Sequence, residues 1–520
     1  MIKKAIRAGL GIGMMATFMG SVCQAQSPFE VLDDSLITHY TEVFNAQDPE
    51  TVVNLVSNAE SADWLSANIP RFACPDSTLE SIYYFRWWSF RKHLKQTPHG
   101  YLFTEFILPV KHDGAFNSIS CALGHQIYEG RWLHQPEYIK QYVDFWLDYE
   151  QRQPGSKFHN FSNWLSDAVY QWYLVNGDDR FLIGRLPALD ADFKRWEDER
   201  LLPSGLFWQH DVKDGMEESV SGGRRVQNAR PTINSYMYGN AVALSKIASK
   251  GGDGQLAEHY ARRAADIKEL VETQLWDDTA KFYKTKLAED GSLAPREAIG
   301  FIPWYFNLPD DSRNRARAWS QLLDTLGFKA PWGLTTAERR EPTFRTRGSG
   351  DGCEWDGAIW PFATTQTLKG LANLLSGYDN VGEMDKAAYY DALHTYAWSH
   401  QKNGRPYIGE YQDEKTGYWL KGDSPRSEFY NHSGFCDLII NDLIGVKPQE
   451  DANSVKIHPL VPEGKWDWFC LDGVAYRGQS VTVLWDKTGK KYNRGKGLMV
   501  FVDGQQVAKS KRLKPLDVNW

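Results

Sequence analysis

Two acidic stretches in this chain are placed to do proton-transfer chemistry. The first runs Trp208-Gln209-His210-Asp211-Val212-Lys213-Asp214-Gly215-Met216-Glu217-Glu218-Ser219, with two adjacent glutamates between a glycine and a Ser-Val-Ser-Gly-Gly loop. The second runs Pro406-Tyr407-Ile408-Gly409-Glu410-Tyr411-Gln412-Asp413-Glu414-Lys415-Thr416-Gly417, where a glutamate stands between Gly and Tyr after an apolar approach. Two carboxylic acids on separate loops suffice to hydrolyse a glycosidic bond. One donates a proton to the leaving oxygen, and the other activates a water or attacks directly. Taken singly, each stretch reads first as a solvated surface loop. Positions 217 and 410 are far apart in sequence, so only the fold can bring them together.

Other segments offer groups that could shape a sugar site. Arg86, Trp87 and Trp88 close the aromatic run Tyr83-Tyr84-Phe85-Arg86-Trp87-Trp88. A tryptophan there could stack on a sugar ring, and Arg86 could bind hydroxyls or keep a carboxylate ionised. The competing reading of a Trp pair on a helix is core packing. His159, Asn160 and Trp164 lie in a loop-to-helix segment with the same two readings. Tyr430-Asn431-His432-Ser433 is polar enough to line a cleft, with His432 read as structural. Aromatic residues make up 14% of the chain, including 21 Trp and 25 Tyr. Such rings suit the C–H faces of sugars, and they also fill the cores of large helical proteins.

Four motifs in order resemble those of trehalases and family 63 glycosidases. Gly215-Met216-Glu217-Glu218-Ser219 is similar to the segment whose first acid is the general acid in those families. Glu410-Tyr411-Gln412-Asp413-Glu414-Lys415-Thr416-Gly417 is similar to the stretch whose Glu is their general base. Cys353-Glu354-Trp355-Asp356-Gly357-Ala358-Ile359-Trp360-Pro361 resembles both the trehalase Gln-Trp-Asp motif and the Trp-Arg-Gly-x-x-Trp motif of family 63. Phe103-Thr104-Glu105-Phe106, followed by His112-Asp113-Gly114-Ala115-Phe116, resembles segments that hold the sugar. The chain as a whole resembles the mannosylglycerate-hydrolase-like branch of the six-hairpin enzymes, and Val455–Pro462 resembles the start of their C-terminal sandwich. The resemblance implies an inverting, exo-acting glycoside hydrolase on α-glucosides or α-mannosides. It implies Glu217 as general acid, with Glu218 its rival, and Glu410 as general base. Glu105, Asp113, Trp355, Asp356, Trp360 and Tyr411 would join Arg86, Trp87 and Trp164 around the substrate. The acid position carries Glu rather than Asp, one methylene longer, and Asp356 stands where family 63 has Arg.

These loops need a scaffold, and the chain predicts one. Leu256, Tyr260, Ala264, Ile267, Val271 and Trp276 recur close to one helix face across 255–276, and 361–375 and 384–399 behave similarly. Roughly ten to twelve helices of ordinary length fit between residues 76 and 447. No repeat is visible at residue level. Beyond 453 the pattern changes to strands. Val481, Val483 and Trp485 alternate with Ser480, Thr482 and Leu484, the mark of a half-buried strand, and Asp503-Gly504 marks a hairpin turn after Leu498–Val502. The expectation is a mainly α protein: an (α/α)6 toroid of helical hairpins over 76–450, a mixed leader over 26–75 and a small β-sandwich over 451–520.

Residues 1–25 have the charged start, short apolar run and small-residue cleavage site of a signal peptide, so a periplasmic or secreted protein is expected, and a lipoprotein is disfavoured by the poor lipobox before Cys23. The five later cysteines, at 74, 121, 353, 436 and 470, are widely spaced and allow at most two disulfides. No CxxC pattern suggests a metal site, and the expected chemistry needs no cofactor. The net charge of -7 offers no global basic field for nucleic acid or anionic lipid. Rival readings are a phosphorylase, a polysaccharide lyase, a glycosidase of the same fold acting on a pentoside such as an arabinofuranoside, and a non-enzymatic glycan-binding surface protein. Glu410 argues against the phosphorylase, and the acidic charge against a uronate-binding lyase groove.

Overall fold

The structure is a computed structural model that describes residues 29–346 and 352–520. The expected signal peptide lies outside the described residues. Among the described residues, twelve helical segments alternate between an outer and an inner ring. The inner helices are Leu123–Gly130, Leu165–Asn176, Pro231–Lys250, Ile302–Tyr305, Pro361–Gly377 and Phe435–Asp437 with its π-helical continuation Leu438–Leu443. Each packs on the next, and the last returns to the first. The outer partners are Ser77–Lys92, Glu137–Asp144, Asp179–Arg200, Gly254–Gln274, Ser320–Leu323 and Lys386–Ser399. This is the expected six-hairpin toroid.

Local chemistry explains the boundaries. Asn176 ends an inner helix, Gly177 takes the left-handed C-cap conformation (φ 73°), and the Asp178 side chain accepts from Phe181 N to start the next helix. Pro231 and Pro361 open inner helices at the first turn, where a missing N–H costs nothing. The helix expected over 255–276 spans Gly254–Gln274, with Tyr260, Ala264, Ile267 and Val271 buried.

Connections at the two ends of the toroid differ. Those from inner to outer helices are tight, such as 177–178 and 251–253, whereas those from outer to inner helices are long, such as 93–122, 201–230, 324–360 and 400–434. The long connections therefore all arrive at the N-termini of inner helices, which we call the front mouth.

Behind the toroid sits a β-domain. Five strands pair in the order Arg71–Ala73, Trp468–Tyr476, Gln479–Asp486, Gly497–Val502, Gln505–Ser510, and three more pair as Val446–Pro448, Ser454–Ile457, Leu516–Asn519. The hairpin turn falls at Asp503-Gly504 with both residues at positive φ (47° and 80°), the geometry that matches strand twist. Two details differ from expectation. The strand 71–73 ties the leader into the C-terminal sheet, and the strand expected to be half-buried is buried on both faces from Val481 to Asp486. The reason is the leader: Phe29, Val31 and Leu32 cover Cys470, Leu484, Met499 and Phe501 on the outer side of that sheet. No described helix is long and apolar enough to cross a membrane.

Candidate active site

Most of the acids and aromatics singled out above lie in the long connections at the front mouth. Glu105 follows the hairpin Leu94–Thr97/Gly100–Phe103, Glu217 precedes the inner helix Pro231–Lys250, Trp355 and Trp360 precede Pro361, and Glu410 and Tyr430 precede Phe435. Helix geometry thus converts scattered sequence positions into one cluster.

The stretch around Glu217 is not a solvated acidic loop. Asp211 and Asp214 are buried and clamp Arg230, which donates to Asp211 Oδ1 (2.8 Å), Asp214 Oδ2 (2.6 Å) and Ser221 Oγ (2.6 Å). Ser219 donates to the other Asp211 oxygen (2.6 Å). A buried ion cluster of this kind fixes the loop that carries Glu217, since removing one member would strand a buried charge.

The structure separates the adjacent glutamates. Glu218 accepts from Arg345 and is held by a backbone bridge to residues 353–355, with Glu218 N donating to Cys353 O (3.2 Å) and Trp355 N to Glu218 O (2.9 Å). Glu217 Oε2 is buried and has no hydrogen-bond partner among the described residues. Burial pushes the Glu217 carboxyl up to about 7, with the Glu410 charge adding to the rise.

Glu410 is 2% exposed. Its Oε1 accepts from the Ser427 hydroxyl (3.0 Å) and lies 3.6 Å from Arg426. Burial raises its pKa, while Arg426, Ser427 and Lys421 pull the other way. Glu105 completes the cluster: it accepts from Tyr430 and from Ala122 N (3.2 Å), and burial, with the charges of Glu410 and Glu217 behind it, pushes it up to about 8. Three carboxyl groups therefore lie close enough to feel one another, and burial raises the proton affinity of each.

Aromatics frame them. Trp355 stacks on Trp360 (4.2 Å), and Trp360 on Tyr411 (4.5 Å). The Trp360 indole donates to Glu354 O (2.8 Å) and the Tyr411 hydroxyl to Gly352 O (2.8 Å). His432 bonds Gly409 O through Nε2 (3.2 Å), which fixes the turn before Glu410 and leaves the ring neutral, as burial lowers its pKa. Phe429 has positive φ (58°), a strained turn that sets the direction of Tyr430; His93 Nε2 holds its carbonyl (2.6 Å).

Three expected sugar contacts are corrected. Trp87 has no exposed surface and packs edge-on against Tyr83 and Phe90 on an outer helix. Arg86, equally buried, donates to Glu129 (2.7 Å), Asn431 and Ser433 O (3.2 Å), so it anchors the Tyr430–Ser433 segment from behind. Trp164 lies in the barrel axis among His125, Tyr236, Tyr305 and Phe362, side chains from four inner helices. It is a plug beneath the acids, and Gly124 makes room for it: a Cβ there would fall 2.1 Å from the indole. His159 also belongs to the frame, bonded to Asp192 (2.7 Å) and stacked on Trp196. Asp356 pairs with Arg345 beside Glu218, and Asp113 closes a tight turn with Val110 (3.3 Å). Sequence reasoning missed Arg230, Arg426 and Ser427, whose partners are set only by the fold. All five later cysteines are free thiols. Among the described residues no group of three or more His, Cys, Asp or Glu could hold a metal ion.

A six-hairpin toroid with buried, mutually repelling acids at the N-terminal mouth of its inner helices is the architecture of a glycoside hydrolase domain. The chain belongs to the mannosylglycerate hydrolase MGH1-like glycoside hydrolase family, whose sequence profile matches residues 115–433. Residues 449–509 match the C-terminal domain of glycosyl hydrolase family 65. Among solved structures, a protein named a sialidase is 49% identical, with 94% of this chain and 45% of that chain matched at a TM-score of 0.91. A GH63 mannosylglycerate hydrolase from Thermus thermophilus, solved with Tris and D-glycerate, is 15% identical over 69% of this chain and 98% of its own, TM-score 0.50. A GH78 family rhamnosidase of Bacillus sp. GL1 is 12% identical over 83% of this chain and 41% of its own, TM-score 0.58. The last two likenesses concern fold alone. The chain spans less than half the length of the sialidase-named relative.

Proposed function

We propose that this chain is an inverting, exo-acting glycoside hydrolase on α-glucosides or α-mannosides, with Glu217 as general acid and Glu410 as general base. The observation that carries the assignment is the asymmetry of the two carboxyls. Glu217 has no donor on Oε2 and keeps its proton to about pH 7. Glu410 has a hydroxyl and a guanidinium beside it to favour the ionised form. In the reaction Glu217 protonates the glycosidic oxygen as the C–O bond breaks. Glu410 takes a proton from a water that attacks the anomeric carbon from the other face, and the water oxygen becomes the new hydroxyl. Glu105, Trp355 and Trp360 would hold the sugar ring. The burial of Glu410 and Glu105, with Glu217 half-buried, supports an end-on substrate rather than a chain threaded through an open groove.

The name of the sialidase relative does not transfer directly, because the match occupies only 45% of that chain. A substrate panel should therefore include α-glucosides, α-mannosides, an arabinofuranoside and a sialoside. Proton NMR of the first product from the best substrate tests the mechanism. Inverted configuration is expected, with the carboxyls about 6.5–9.5 Å apart in the substrate complex. A retained anomer as first product would overturn the assignment of Glu410 as base.

A further inference from the structure

Behind the Trp164 plug the barrel axis opens again. A cavity of about 520 Å³ lies between the rear halves of the inner helices and the β-domain. That volume falls in the range of about 300–1,000 Å³ usual for small-molecule sites. Trp164, Tyr305 and Phe362 stand between it and the acid cluster, so it is no extension of the front site.

We propose that this rear cavity is a second ligand site, for a small polyhydroxylated anion such as a sugar acid or a sugar phosphate. Its walls carry Arg131, Lys246, Lys369, Lys447, Lys456 and His458. The nearby acids are already engaged. Asp437 accepts from Arg131 (2.7 Å), Trp132 (2.7 Å) and Lys369 (3.0 Å); Asp442 from Lys369 and Lys447 (2.6 Å); Asp167 from Tyr128 (2.6 Å); and Glu450 from Tyr170 (2.9 Å) and Lys246 (2.7 Å). Lys456 is left over. Its register partners in the sheet are Lys447 on one side and Asp517 on the other, and it forms no ion pair among the described residues. Like charges directly opposite in an antiparallel pair sit about 5 Å apart at Cβ and repel. Lys447 is answered by Asp442, so Lys456 is the charge on this cavity wall that an anion would stabilise. The surroundings agree: burial and the charges of Lys447, Lys386 and Lys456 hold His458 down to about 4. Cations near helix C-termini also complement the helix dipole. Lys447, Lys456 and His458, however, stand on or beside the β-domain strands, and Lys369 lies mid-helix. Tyr238, Asn307 and Asn373 add the hydroxyl and amide groups that polyols require.

Isothermal titration of the full chain carrying Glu217→Gln, with gluconate, glucose 6-phosphate, inorganic phosphate and glucose as separate probes, tests this. One of the two sugar anions should bind, and which one identifies the class. Glucose should bind at least about tenfold more weakly, as expected for loss of a charged partner. Lys456→Ala should weaken the anion about tenfold and Lys456→Arg should preserve it. Lys246→Ala, at an exposed position, serves as a second variant should Lys456→Ala lower the melting temperature. Binding that is equal for glucose and the anions, that is untouched by both lysine variants, or that is absent up to about 10 mM overturns the proposal. Inorganic phosphate matching the sugar anions would reduce the cavity to a simple anion site and overturn the polyol part.

Discussion

Glu217, half-buried with its Oε2 sealed from solvent, and Asp437, buried, lie one on each side of the Trp164 plug. Asp437 accepts from Arg131, Trp132 and Lys369, and the two cations, with the indole hydrogen bond, hold it below the usual carboxylate range despite its burial. Glu217 has no such partner on Oε2, so burial, helped by the Glu410 charge, prevails and pushes it up to about 7. Desolvation is common to both; the cations decide the sign. A fully paired acid is held ionised and inert, whereas an underpaired buried one can hold its proton to near neutral pH. At the front mouth the Glu217 carboxyl stays underpaired, whereas behind the plug the Asp437 carboxyl is fully paired.

The largest effects should fall on turnover. Glu217→Gln and Glu410→Gln are each expected to lower kcat/KM by about 10²–10⁴ while leaving the thermal transition in place. Glu218→Gln, at a residue tied to Arg345, should cost less than tenfold on the same assay. If the 218 variant is the severe one, the acid is the neighbour. The mirror experiment is Asp437→Asn, which strands the Arg131 charge in the interior and leaves Lys369 to Asp442 alone. It should cost about 3–5 kcal/mol in urea unfolding. A loss below about 1 kcal/mol would break the contrast between the two acids.

A subtler test uses pH. With Glu217 as the proposed acid and Glu410 as the proposed base, catalysis needs Glu217 protonated and Glu410 ionised. Activity should therefore fall above about pH 7 as Glu217 loses its proton, and fall on the acid side as Glu410 gains one. The residual activity of Glu217→Gln should lack the alkaline limb. An alkaline limb unchanged in that variant would assign it to another group.

The sequence made some of this legible for definite physical reasons. The helix Gly254–Gln274 has one buried stripe against a polar face, so its period shows. Taken singly, the two candidate acids read as solvated loops; their place among four ordered motifs resembling those of trehalases and family 63 glycosidases is what made them candidates. The inner helix Ile302–Tyr305 and its outer neighbour Ser320–Leu323 are only a turn long, too short to show any period. Arg86, Trp87 and Trp164 were read as sugar contacts because residue type alone does not distinguish a buried Arg or Trp from one on a cleft. Trp87 and Arg86 lie on an outer helix, and in this architecture the chemistry sits in the connections that lead to inner ones. Arg426 and Ser427 act on Glu410 from a Ser-Pro-Arg-Ser turn that carries no sign of its partner.

The last expected effect concerns Glu105, the third front acid. In the folded chain it is pushed up to about 8, against an ordinary value of 4.5. The native state therefore holds this proton more tightly than the unfolded chain does. Between roughly pH 4.5 and 8 the unfolded chain has released the proton and the folded one has not, so stability from this group is full below the lower value and falls as pH rises through the window. Glutamine cannot ionise, and its amide oxygen can still accept from Ala122 N or Tyr430. Glu105→Gln should then match or slightly trail the parent at pH 4 and gain on it steadily toward pH 8, in melting temperature measured across that series. The difference between the two proteins isolates Glu105 from Glu217 and Glu410, which titrate in both. A gap that stays constant from pH 4 to 8 would mean that Glu105 is ionised in the folded protein, with Tyr430 and Ala122 N supplying enough stabilisation to overcome its burial.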